Sequence, residues 1–158
     1  MRIGLGFDIH RLQPGRPFIL GGVTFAHPRG PVGHSDGDVL LHALVDALLG
    51  AAALGDIGDH FPDTDPRWKG AAGKVFVDQA LLLLDAKGLK PLQVDATVFL
   101  ELPKLGKRKP ELAAELAKIL GIPEERANVK AKTMEGLGAI GTGDAIAAQV
   151  LVTLEERR

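Results

Sequence analysis

Met1-Arg2-Ile3-Gly4-Leu5-Gly6-Phe7-Asp8-Ile9-His10 opens the chain with a strict period of two. Ile3, Leu5, Phe7 and Ile9 fall on one side, and Gly4, Gly6, Asp8 and His10 on the other. That is a β-strand with one glycine-rich face ending in two polar side chains. Working outward, the apolar run Phe18 to Phe25 is broken by Gly21-Gly22, which predicts two brief strands joined by a tight turn. Ser35 precedes Asp38 by three, a capping-box-like start to a helix expected to run to about Leu54. The stretch Gly55 to Lys69 is rich in Gly, Pro and Asp and shows no period. Helix is expected again from about Ala71 to Lys87, ended by Gly88, and from Pro110 to Leu120, closed by Gly121. Strands are expected over Leu92–Leu100, Ala127–Thr133 and Ala145–Leu154. This interleaving, with one early hairpin, predicts an α/β or α+β chain: two layers, one sheet with helices on one side.

The 158 residues suit one domain, 1–158, able to bury a single sizeable core. Nineteen Lys plus Arg stand against twenty Asp plus Glu, for a formal net charge of -1. A nucleic-acid partner normally demands a clearly basic chain, so none is expected. With no cysteine there is no disulfide, cysteine zinc site, iron–sulfur cluster or thiol nucleophile, and any metal must use His, Asp and Glu. Met1 to His10 lack a basic region followed by an apolar stretch, so the cytoplasm is the expected location. The most apolar window, Val39 to Leu54, carries His42 and Asp46 and is too short and polar to span a bilayer. No membrane partner is expected.

Between Asp38 and Leu54 the only hydrogen-bonding side chains are Asp38, His42 and Asp46, four apart and therefore on one helix face. Taken alone, that stripe faces water. Asp8 and His10, two apart on a strand, also share a face, and with His42 they make two imidazoles and a carboxylate. That is the ligand count of a catalytic zinc site with an open fourth position; a buried Asp–His hydrogen bond is the other reading. His34-Ser35 stands where a helix N-terminus favours an anion, or where Ser35 simply caps the Asp38 amide. Asp56, Asp59, Asp63 and Asp65 put four carboxylates in one loop, but the glycine and glutamate of an EF-hand are not in place. They serve either sugar or polyol hydroxyls or solvated turns. Gly136-x-Gly138-x-x-Gly141 spells a dinucleotide fingerprint, yet the residues that follow read as a strand and leave no room for the rest of that unit. What remains is a glycine-rich turn beside Lys132, Thr133 and Glu135, suited to phosphate oxygens and to a magnesium ion carried by substrate phosphates, or else a plain surface turn.

Several longer pieces, taken in order, resemble the 2-C-methyl-D-erythritol 2,4-cyclodiphosphate synthase family of the non-mevalonate isoprenoid pathway. They are Gly6 to His10, His34 to Asp38, Leu48 to Pro66, Pro103-Lys104-Leu105 and Asn128 to Gly138. The resemblance implies a four-stranded mixed sheet with helices, assembled as a homotrimer with active sites between subunits. It implies ring closure of 4-diphosphocytidyl-2-C-methyl-D-erythritol 2-phosphate with release of CMP. By matched position, Asp8, His10 and His42 would hold Zn2+, and Glu135 a Mg2+ or Mn2+ on the diphosphate. His34 and Thr133 would steady transition-state charge. Ser35, Asp56, Ile57, Gly58, Phe61, Pro62, Asp63, Thr64 and Asp65 would meet substrate, with Asp56 and Gly58 on the ribose and Asp63 on a methylerythritol hydroxyl. Leu100, Pro103, Lys104, Leu105, Gly106, Ala131 and Lys132 would form the cytidine and diphosphate pocket. Two positions depart: Ala139 and Thr142 replace a usual Phe and Arg, removing an aromatic face and a cation that bear on an isoprenoid diphosphate in the trimer's central cavity. Glu101 stands where Gln is frequent. A non-catalytic trimeric nucleotide sensor and a zinc-dependent phosphohydrolase remain open beside the cyclase, and product identity separates the three.

Overall fold

The computed structural model describes residues 1–157. Strand β1 runs Arg2–Pro14, followed by the hairpin β2 (Phe18–Leu20) and β3 (Val23–Phe25) and by β4 (Arg29–Pro31). Helix α1 (Val39–Ala51), the single turn α2 (Ile57–His60) and α3 (Gly73–Ala86) lead to β5 (Leu89–Phe99). Helix α4 (Lys109–Leu120), β6 (Ala127–Lys132), the turn α5 (Gly138–Gly141) and β7 (Ala145–Glu156) complete the chain. The sheet order is β4-β1-β7-β5-β6, with β5 and β6 parallel and the other pairs antiparallel. The chain is therefore α/β with a mixed sheet, but among the described residues the sheet has five strands, not the four expected. The fifth is Arg29-Gly30-Pro31, too short to show any alternation; it pairs with Leu12–Pro14, where β1 continues past His10.

The two faces of β1 have unequal fates. Gly4 and Gly6 lie under α1 so closely that an added Cβ would stand 1.9 Å from the Ala47 and Ala43 carbonyl oxygens, respectively. Only glycine permits that approach. Helix α1 buries eleven of its thirteen residues between the sheet and α3, because it is apolar around nearly its whole circumference. Ile3, Leu5, Phe7 and Ile9, on the opposite face, are 50–61% exposed. Cross-strand register sets Leu151 beside Leu5, so an apolar stripe runs along the uncovered face of the sheet.

The start of α1 also differs from expectation. Its N-cap is Asp38, whose carboxylate accepts the Leu41 N–H at 3.1 Å and, from the β2–β3 turn, the Gly21 and Gly22 N–H groups at 2.8 and 2.7 Å. Ser35 caps nothing at that helix. The full burial of Asp38 pushes its carboxyl upward, against the pull of the three donors. Asp38→Ala leaves those donors without an acceptor and is expected to destabilise the fold by about 3 kcal/mol or more, measured as a lowered urea midpoint with unchanged m-value. A midpoint within experimental scatter of the parent protein would show that Asp38 does not fasten the hairpin to the helix.

Candidate functional site

Asp8 and His10 project from β1 towards α1, and His42 meets them one turn into that helix. His10 Nε2 lies 3.0 Å from Asp8 Oδ2 and 3.0 Å from His42 Nδ1, and His42 Nδ1 lies 3.1 Å from Asp8 Oδ2. Two imidazole nitrogens and one carboxylate oxygen thus form a nearly equilateral triangle. Such edges suit donor atoms converging on one ion at the ~2.0–2.1 Å bond lengths of zinc. The donor set, His2Asp with no thiolate, is one of harder ligands and fits Zn2+. The Ser35 hydroxyl lies 2.9 Å from His42 Nε2, so a proton held on Nε2 leaves the Nδ1 lone pair aimed at the triangle. Burial disfavours the ionised Asp8 carboxylate, but the hydrogen bonds from His10 and His42 outweigh it and hold the group well below the ordinary carboxylate range. Burial likewise opposes a charge on His10, and Asp8, by bond and by charge, reverses that and raises the imidazole. Of the two readings of the polar stripe on α1, plain solvent exposure is not the one found: Asp38 caps, His42 joins the triangle, and the half-buried Asp46 accepts the Ile57 N–H at 2.8 Å.

A cavity of about 490 Å³ opens over the triangle, lined by His10, His34, Ser35, His42, Ile57, Gly58, Phe61, Pro62, Asp63, Trp68 and Phe76. The turn that carries Ile57 and Gly58 starts at Asp56, whose side chain and that of Asp59 cap each other's N–H groups. Asp46 fastens this turn to the helix bearing His42. Phe61, Trp68 and Phe76 build the apolar wall, with Trp68 edge-on to both phenylalanines and the two phenylalanines tilted against each other. Asp65 lies outside the lining; it caps the 3-10 turn Pro66–Trp68 and takes the Arg67 guanidinium at 2.6 and 2.8 Å. Thr64 also lies outside it.

A second cavity, of about 220 Å³, lies at the carboxyl ends of the parallel strands β5 and β6. Leu100, Lys104, Leu105, Gly106, Ala131, Lys132 and Thr133 line it together with Lys109, while Pro103 does not. Crevices outside the carboxyl ends of parallel strands are common ligand sites. Glu135 stands just beyond, exposed, at φ 52, with its carboxylate accepting the Thr133 hydroxyl at 2.5 Å. The two cavities share no lining residue. Across the sheet Asp8 is level with Ala148, Val98 and Ala131, so the triangle's Asp8 and the second cavity's Ala131 lie at one level of the sheet, three strand spacings or about 14 Å apart. Ala139 and Thr142 are exposed on α5 and at its end, where the Thr142 hydroxyl reaches Asp144 at 2.7 Å.

Sequence reasoning missed Trp68, Phe76 and Lys109. Trp68 sits in the aperiodic loop, where nothing signals burial. Phe76 carries only the helical period of α3, which reads as core.

Residues 1–155 match the YgbB family. The chain is 54% identical over 153 residues to the 2-C-methyl-D-erythritol 2,4-cyclodiphosphate synthase of Bordetella avium, covering 97% of this chain and 94% of that protein. A solved structure of such a synthase in a CDP-bound form superposes with a TM-score of 0.90 at 44% identity, covering 98% of this chain and all of that one. The bifunctional IspDF of Campylobacter jejuni superposes with a TM-score of 0.92 at 40% identity; this chain covers 42% of it.

Proposed function

Since the chain belongs to the YgbB family, in which its close relatives are 2-C-methyl-D-erythritol 2,4-cyclodiphosphate synthases, we propose that it closes the cyclic diphosphate by intramolecular phosphoryl transfer. The 2-phosphate oxygen of 4-diphosphocytidyl-2-C-methyl-D-erythritol 2-phosphate forms a bond to the β-phosphorus. The bond from that phosphorus to the oxygen of CMP breaks, CMP leaves with the electron pair, and an eight-membered ring results. The observation that carries this reading is the Asp8–His10–His42 triangle at the floor of a cavity large enough for a phosphorylated polyol.

Asp8, His10 and His42 would hold Zn2+, and Glu135 would hold Mg2+ or Mn2+. Bound there, the ions supply Lewis-acid neutralisation of the crowded phosphate oxygens. The chain's own residues do the positioning. His34, exposed at the cavity rim, and Thr133, at the second cavity, give donors to developing oxyanion charge. Asp56, Ile57 and Gly58 present a turn to the ribose, and Asp63, with Ser35, Phe61 and Pro62 beside it, faces the methylerythritol. The loop Leu100 to Gly106 with Ala131 and Lys132 takes cytidine and diphosphate. A phosphate monoester is already anionic near neutral pH, so the nucleophile needs no strong general base.

The chain acts as one domain over residues 1–158 and as a homotrimer in the cytoplasm. Two observations support shared sites: the exposed stripe of Ile3, Leu5, Phe7, Ile9 and Leu151, and the separation of the two cavities within one protomer. No helix among the described residues is long and apolar enough to cross a membrane.

The reaction is tested by chromatography of the nucleotide. Zinc-stripped protein with the cytidyl substrate and Mg2+ is expected to release no CMP, and one equivalent of zinc per chain to restore release. CMP release that ignores zinc would overturn the assignment of the triangle.

A further inference from the structure

Strands β5 and β6 pair in parallel as far as Phe99 and Lys132, and one more main-chain bond follows, from the Leu100 N–H to the Lys132 carbonyl at 2.9 Å. In a parallel ladder donors on one strand recur every second residue. The next from β6 is the Met134 N–H, and a continued ladder would give it the Leu100 carbonyl. It goes instead to a side chain: Glu101 Oε1 accepts it at 2.7 Å. The carboxylate therefore stands in for a main-chain acceptor at the point where the strands part, keeping the donor satisfied while the backbones diverge. The second cavity opens in that divergence, between Leu100 to Gly106 on one side and Lys132 and Thr133 on the other. Immediately after Met134 the chain turns at Glu135 in the left-handed region, with the Thr133 hydroxyl on its carboxylate. One side chain thus ties the loop that walls the cavity to the turn that carries Thr133 and Glu135.

We propose that Glu101 is a positioning residue for this cavity: by holding the Met134 amide it fixes the width of the opening and the direction of Thr133 and Glu135, and so the affinity for a nucleoside diphosphate. The nucleotide half of this proposal rests on the cyclase reading, and the grip on Met134 does not. A glutamine keeps a side-chain oxygen at the same reach, whereas alanine removes the acceptor.

The test compares the parent protein, Glu101→Gln and Glu101→Ala. Calorimetric titration with CDP in the presence of Mg2+ is expected to show about tenfold or greater weakening in the alanine variant, the size of a lost charge-assisted hydrogen bond, and at most about threefold in the glutamine variant. KM for the cytidyl substrate should rise in the same proportion, with kcat less affected and zinc content unchanged. Amide exchange at Met134, read without nucleotide, should accelerate in the alanine variant and stay slow in the glutamine one. The proposal is overturned if the alanine variant binds CDP as the parent does, or if glutamine fails to rescue. Failure of the parent protein itself to bind CDP would overturn the cyclase reading, while Met134 exchange would still decide whether Glu101 holds the turn.

Discussion

Replacing His42 by alanine is expected to lower bound zinc well below one per chain and to reduce cyclisation by about 10³-fold or more, the several kcal/mol of charge stabilisation that a Lewis acid supplies. Asp8 and His10 alone leave two ligands, too few for a stable site of the three-ligand type. The fold should survive, because His42 faces the cavity while Leu40, Leu41, Leu44, Leu48 and Leu49 carry the packing of that helix. A milder change separates ligation from its support. Ser35→Ala removes the hydroxyl at His42 Nε2 and is expected to weaken zinc about 10–100-fold while leaving all three ligands in place. Metal analysis and circular dichroism on both variants check the pair of claims. Normal turnover by a zinc-free His42→Ala protein would refute the metal assignment.

Gly6→Ala is expected to be strongly destabilising. Its Cβ would meet the Ala43 carbonyl oxygen at 1.9 Å and the Ala47 nitrogen at 2.7 Å, both helix backbone with no rotamer to escape into. Relief requires α1 to move away from β1, so overpacking should cost about 3 kcal/mol or more. The same movement draws His42 away from Asp8 and His10, and zinc affinity should fall together with stability. Gly50, in the last turn of α1, supplies the contrast: an added Cβ there meets nothing within 4 Å. Gly50→Ala should stabilise by about 0.5–1 kcal/mol. Urea unfolding followed by the fluorescence of Trp68, the only tryptophan, measures both. A Gly6→Ala protein of parent stability would show that the strand and helix are not as close as described.

The metal triangle was legible because it depends on two local periods, two for the strand and 3.6 for the helix, which alone put Asp8 with His10 and set His42 on one line of α1. Their meeting was not, since no spacing measures the distance between β1 and α1; Gly4 and Gly6 set that distance. The same glycines reversed the usual reading of alternation: the face without side chains is buried, and the apolar one is open. Asp38 displaced Ser35 as the cap through a contact sixteen and seventeen residues back in the chain, with Gly22 and Gly21, that no local box contains. Strand β4 escaped notice because three residues cannot show a period. The carboxylates of the loop looked alike in sequence but divide in space: Asp63 lines the cavity, Asp56 and Asp59 cap a turn, and Asp65 is taken by Arg67. Glu101 registered only as a departure from the family, because its partner, the Met134 amide, lies 33 residues away.

CMP release alone is shared by ring closure and by hydrolysis, so the phosphorus product decides between them. Phosphorus NMR of the purified protein with the cytidyl substrate, Mg2+ and one equivalent of zinc should show a cyclic diphosphate growing in step with CMP. An open-chain phosphate or inorganic phosphate in its place would make the protein a hydrolase, and substrate that stays bound and unchanged with both metals present would contradict catalysis altogether.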